Sequence, residues 1–97
     1  MAKESDAYPE LDVFMEGWFH QDWGASGETV EDVALDYKRV VRPMRVIQVC
    51  AEMDQFIAQN DAAVDSAFEQ RWGWFRPAGL GYTIPEFFQE LKRILRS

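Results

Sequence analysis

The sequence predicts an all-α fold: a single domain spanning residues 1–97, built as one compact bundle of about five helices. Three observations predict it. Apolar residues recur with a spacing close to 3.6 along most of the chain, and no stretch alternates with period two for long enough to suggest a strand. Helix start and stop signals fall between those stretches, with Pro9 and Pro43 placed to open helices, Gly73 to close one and Thr83 to cap one. The 97 residues are 47% hydrophobic and 14% aromatic, too apolar for a disordered acidic tail and short enough to form one core rather than two.

The first helix is predicted to begin at Tyr8-Pro9, where proline suits the first helical position, and to carry the stripe Leu11, Phe14, Met15, Trp18 and Phe19. Gly17 costs such a helix about 1 kcal/mol against alanine, which points to close packing or early fraying there. Its end is expected at Gln21-Asp22, before the turn Gly24-Ala25-Ser26-Gly27. A second helix is predicted from Glu28 to Val41, burying Val30, Val33, Ala34, Tyr37, Val40 and Val41. Acids fill its first turns and Lys38, Arg39 and Arg42 its last, as the helix dipole favours. The third, over 44–58, shows Val46, Val49, Cys50, Met53, Phe56 and Ile57, with Ile47 and Ala51 widening the arc toward that of a central helix. Asn60 or Asp61 can cap a fourth helix bearing Ala63, Val64, Ala67, Phe68 and Trp72, closed by Gly73. Residues 73–82 form an irregular connection held by its aromatics. Thr83 and Glu86 then make a capping box for a last helix whose stripe is Ile84, Phe87, Phe88, Leu91, Ile94 and Leu95.

The net charge of −7 is unevenly placed. Residues 1–36 carry ten acids against Lys3 alone, a net −9, while residues 37–97 carry seven acids and nine bases, a net +2. A field of that sign repels nucleic acid and anionic lipid and attracts a basic partner. Cys50 is the single cysteine, so no internal disulfide and no cysteine-histidine zinc site can form, and its apolar neighbours suggest a small buried hydrophobe. The start Met-Ala-Lys-Glu-Ser-Asp lacks the apolar core of a signal peptide, and no run approaches the ~18 apolar residues of a membrane span. The expectation is a cytoplasmic protein with no cofactor and no metal. A globule of this length has a radius of gyration of about 13 Å, which favours a surface or groove function over an enclosed active site.

His20-Gln21-Asp22-Trp23 is the one local cluster that could suggest catalysis, through a histidine base oriented by a carboxylate. Side chains two apart on a helix point in different directions, and no serine or cysteine nucleophile stands in a recognisable motif. The expectation is therefore a non-enzyme in which His20 and Asp22 finish the first helix and Trp23 turns into the core. Trp72, Trp74, Phe75 and Tyr82 could stack on single-stranded nucleic acid, yet only Arg71 and Arg76 lie nearby, so burial of the connection is the preferred reading. Arg39, Arg42 and Arg45 most simply complement a helix end and pair with acids.

The acidic third carries the more specific signal. On a helical wheel Glu28, Asp32 and Asp36 lie opposite the Val30, Val33 and Tyr37 stripe as an i, i+4, i+8 ladder, and Asp12 with Glu16 repeats the spacing on the first helix. Like-charge ladders are tolerated on any solvated face, which is the competing reading. Leu35, however, sits on the same outward arc among Glu31, Asp32 and Asp36, and an apolar residue ringed by carboxylates fits a binding patch with one anchor. Asp12, Glu16, Glu28, Glu31, Asp32, Leu35 and Asp36 are thus the candidate contacts. Such a patch could imitate the phosphate backbone that a nuclease expects to meet.

Tyr8-Pro9-Glu10-Leu11, Phe14 and the string Gly17-Trp18-Phe19-His20-Gln21-Asp22-Trp23, followed by a Gly/Ser turn and an acid-rich helix, resemble a family of small bacterial immunity proteins of contact-dependent growth inhibition (CDI) systems. The match is close over residues 8–23, looser over 26–41, and little more than helical character beyond; Trp18 stands where tyrosine is more usual. The resemblance implies an all-α, non-enzymatic, cytosolic protein that binds the C-terminal toxin domain of its cognate system. It also implies that His20, Gln21, Asp22 and Trp23 hold the fold while the individual surface acids choose the partner. With the acidic face, the partner expected is a basic toxin domain, a nuclease, without direct contact to nucleic acid or membrane. A small acidic helical adaptor that binds a host protein through the Leu35 patch is the alternative from another class.

Overall fold

The computed structural model describes residues 8–19 and 29–97, and among them the chain is helical with no strand. Helix α1 (Pro9–Val13) starts on proline and continues as a π-helical turn, Phe14–Trp18. It is followed by α2 (Val30–Val40), α3 (Pro43–Asn60), a 3₁₀ turn (Asp61–Ala63), α4 (Val64–Trp72), a second 3₁₀ turn (Pro77–Leu80) and α5 (Ile84–Arg96). Helix α2 packs on α5, α1 packs on α3, and α3 also meets α4 and α5. The whole predicted stripe of α5 is buried, and Thr83 and Glu86 form the expected capping box.

The core is largely aromatic. Phe56 of α3 packs on Trp72 of α4 with ring centroids 5.2 Å apart and on Phe88 of α5 at 5.9 Å. Phe14 lies 4.3 Å from Tyr37, which also meets the edge of Trp18. Phe19 bridges to Phe75 and Phe87, so the connection after α4 is pinned by burial as expected.

Two buried carboxylates tie α1 into this core. Asp12 accepts both Arg71 Nε and Arg71 Nη2 at 3.1 Å and Trp72 Nε1 at 3.0 Å, joining α1 to α4. The Arg71 guanidinium stands over the ring of Tyr8, whose hydroxyl donates to Gln59. Glu52 of α3 accepts the Leu11 backbone N–H and the Gln48 amide, both at 2.8 Å. Unpaired buried charge is costly, and each carboxylate here has two donor groups.

The structure departs from the sequence reading at several points. The first helix does not run on as a regular α-helix: Phe19 N–H reaches the Phe14 carbonyl at 3.3 Å, and Phe19 already has non-helical angles. The wider turn brings residues five apart onto one side, so Phe14 and Phe19 meet edge to face at 5.2 Å. A Cβ on Gly17 would find open space, so close packing does not explain that glycine. Neither Asn60 nor Asp61 caps α4: the Asn60 amide donates back to the Phe56 carbonyl at 2.8 Å, and Ala63 precedes α4. Gly73 is needed for close approach rather than a left-handed turn. Its φ is −66°, and a Cβ there would lie 2.5 Å from the Glu69 carbonyl oxygen. Val40 and Ile47, expected inside, are exposed, and so are Met44 and Ala51. The side of α3 that bears Val49, Met53 and Phe56 is the one its neighbours cover, which leaves the 44–47–51 side to solvent.

Replacing Asp12 by alanine removes the buried acceptor shared by Arg71 and the Trp72 N–H, and is expected to cost about 3 kcal/mol in urea denaturation. Asp12→Asn, which keeps an acceptor for Trp72, should cost less; an Asp12→Ala variant within about 0.5 kcal/mol of wild type would refute the bridge. The Tyr37 hydroxyl is buried without a hydrogen-bond partner among the described residues, and burial first of all pushes its pKa up to about 12. Since an unfolded tyrosine ionises near pH 10, this group favours the folded state fully below that pH and the contribution is lost as pH rises from about 10 to 12. Melting temperatures should therefore fall less steeply over that window for Tyr37→Phe than for wild type, with parallel curves as the contradicting result.

Candidate interaction surface

Thr29, itself extended, precedes α2, and its hydroxyl accepts the Asp32 N–H at 3.1 Å while the Asp32 carboxylate accepts the Thr29 N–H at 3.1 Å. This capping box starts the helix at Val30, later than the Glu28 expected. Val30, Val33, Ala34 and Tyr37 turn inward. Since those four fill one arc, Glu31, Asp32, Leu35 and Asp36 must share the opposite one. All four are exposed, Leu35 to 44%.

The acids on this arc differ in how free they are. Asp32 is committed to the cap, and Asp36 pairs with Arg39 at 2.7 Å in an exposed contact of the kind worth well under ~1 kcal/mol. Glu31 has no ion pair among the described residues, although its charge contributes to raising the pKa of Arg93 on α5, after the larger effect of the Glu90 hydrogen bond. Arg93 Nη2 is 2.6 Å from Glu90, which holds that carboxyl below its ordinary range. The outer face of α2 is thus an apolar anchor with carboxylates beside it, and the cations nearby already have partners.

The remaining predicted contacts separate. Asp12 is removed from the surface set, since its carboxylate is spent inside the fold on Arg71 and Trp72. Glu16 is exposed on the π-helical turn, so the Asp12 and Glu16 pair does not repeat the α2 ladder. Glu28 and the motif residues His20, Gln21, Asp22 and Trp23 lie outside the described residues. Among the described residues no group of three or more His, Cys, Asp or Glu is placed to hold a metal ion. Cys50 is buried, and burial pushes its thiol pKa up, away from the thiolate form needed for reactivity.

The aromatics of the connection 73–82 are tied into the fold, the reading preferred over a stacking platform. Trp72 and Phe75 are buried, Trp74 Nε1 donates to the Phe19 carbonyl at 2.7 Å, and Arg71 faces Asp12. Arg45 pairs with Glu10 at 3.3 Å, in line with the role expected of the basic cluster. No described helix is long and apolar enough to cross a membrane.

Sequence reasoning missed the inward role of Asp12 and the buried Glu52. A signal for the first existed: on the α1 wheel Asp12 lies beside Met15 and Phe19, at the edge of the apolar arc. It also missed an exposed apolar patch of Val40, Met44 and Ile47 beside a groove of about 410 Å³ lined by Pro43, Val46, Cys50 and Leu95. A family model described as CdiI immunity protein matches residues 7–95. No curated protein and no solved structure matches the chain.

Because Asp32 is a capping residue and Leu35 only rests on the surface, their alanine variants should differ in stability. Asp32→Ala is expected to lose about 1 kcal/mol and Leu35→Ala less than about 0.5 kcal/mol in chemical denaturation. A Leu35→Ala loss above about 2 kcal/mol would show that Leu35 is part of the core.

Proposed function

The chain belongs to the CdiI immunity protein family, whose model covers residues 7–95, and from that premise we propose that it neutralises the C-terminal toxin domain of its cognate contact-dependent growth inhibition system in the cytoplasm, as a binding protein without catalytic activity. The observation that carries the choice of face is Leu35, exposed on α2 among Glu31, Asp32 and Asp36. An apolar anchor surrounded by like charge is left exposed among the described residues, and a basic apolar-tolerant surface would cover the anchor and match the charge.

The reading extends to the toxin's chemistry. A toxin that acts on nucleic acid must present a cationic surface to phosphates, and a helix bearing three carboxylates around one apolar contact can occupy that surface in their place. Charge steering then speeds association, and the short-range fit of Leu35 slows release. Glu31 is the acid on this arc best placed to gain a counter-charge, since Asp32 and Asp36 already serve the cap and Arg39.

The test uses the chain with the toxin domain encoded beside it. Association should slow by about tenfold or more between low and physiological salt. Glu31→Lys combined with Leu35→Ala should weaken the complex by about 2–4 kcal/mol while leaving helicity unchanged. Absence of binding at any salt would overturn the function, and a double variant that binds like wild type would overturn the face.

A further inference from the structure

The longest helix, α3, leaves one side uncovered. Met44, Ile47, Ala51 and Ala58 are all exposed on it, Met44 to 81% and Ile47 to 69%. Their spacing of three, four and seven places them at alternating core positions of a heptad, the pattern of a helix that meets another helix along a seam. Asp54 occupies the one polar seam position, and Gln48 and Gln55 flank the row. On the α5 side the row drops into the groove floored by Val46, Cys50 and Leu95. Val40 extends the apolar surface past the start of α3 with 65% exposure.

We propose that this side of α3 is a self-association surface on which a second copy of the chain packs its own α3 antiparallel about a two-fold axis. Charge selects the occupant and the direction. The N-terminal end of the stripe is cationic, with Lys38 lining the groove and Arg42 exposed and without an ion pair among the described residues. The C-terminal half ends beside exposed Asp61, whereas the Asp54 carboxylate on the stripe is matched within the fold by Lys92 and Arg96 of α5. An antiparallel copy sets each cationic end against the partner's acidic end and opposes the two helix dipoles, whereas a parallel copy sets like against like. The shapes agree as well, because bulky Met44 and Ile47 at one end meet the small Ala51 and Ala58 toward the other. A two-fold pair is closed, so it ends at two copies.

Size sets the strength. From Met44 to Ala58 the stripe is about 21 Å long on a helix about 10 Å wide, which with Val40 and the groove wall puts the contact at the small end of specific interfaces. A reversible dimer with a dissociation constant on the order of 1–100 µM is expected.

Sedimentation equilibrium on the full chain should show the mass rising with concentration from 11.3 kDa toward twice that value. Ile47→Asp should hold it at the monomer mass with an unchanged circular dichroism spectrum, Met44→Asp should do the same independently, and Leu35→Asp should leave dimerisation intact. A wild-type mass that stays monomeric to about 1 mM overturns the proposal, as does a dimer that survives both α3 substitutions. Loss of the dimer in Leu35→Asp overturns it in favour of a head-to-tail contact with the acidic face. A monomer whose toxin binding is weakened by Ile47→Asp overturns it by assigning the stripe to the toxin.

Discussion

The rest of the structure depends on how the short first helix is held. Five α-helical residues cannot sustain themselves in water, yet α1 and its π-helical turn supply Leu11, Phe14, Met15 and Phe19, all fully buried, to the centre of the core. What fixes them is a pair of carboxylates reaching across chain separations of forty residues or more. Asp12 reaches from α1 to Arg71 and Trp72, and Glu52 reaches from α3 to the Leu11 backbone. Phe14 and Trp18 in turn cover Tyr37, the largest inward residue of α2. The placement of α2, and hence of its outward acids, rests on that chain of contacts.

The acids of this chain therefore do two different jobs, which a net charge of −7 conceals. Asp12 and Glu52 are turned inward and consumed by donors, whereas Glu31, Asp32 and Asp36 stay on the outer arc of α2 around Leu35. Immunity by binding suits this division, because the inward set makes one fold and the outward set is free to match one partner. The α3 stripe lies on a different helix and carries opposite charges at its two ends, so a second copy there need not obstruct α2.

Much of the fold was legible because it is written in local chemistry. The stripe of α5 is uninterrupted and is preceded by Thr83 and Glu86, so its ends and inward face could both be read directly. Pro43 likewise marked the start of α3. What stayed hidden depends on neighbours. Met44 and Ile47 satisfy a helical pattern equally well whether they face a core or solvent, and only the packing of α1, α4 and α5 on the other side decides. The π-helical turn was hidden because its apolar residues fit the α spacing until Phe19 pairs with Phe14. The outward placement of Glu31, Asp32, Leu35 and Asp36 on α2 was legible, but Asp32's cap and Asp12's inward bridge could not be told from free surface charge by helical spacing alone.

We propose that this protein meets its toxin on the outer arc of α2. Hydrogen exchange followed by mass spectrometry, with the chain alone and bound to the toxin domain, tests it directly, because slowed exchange identifies the segment that a partner covers. Added protection concentrated over residues 29–36, with residues 43–51 little changed, is the predicted result. Added protection over residues 43–51 that leaves α2 as it was in the free chain would contradict the account.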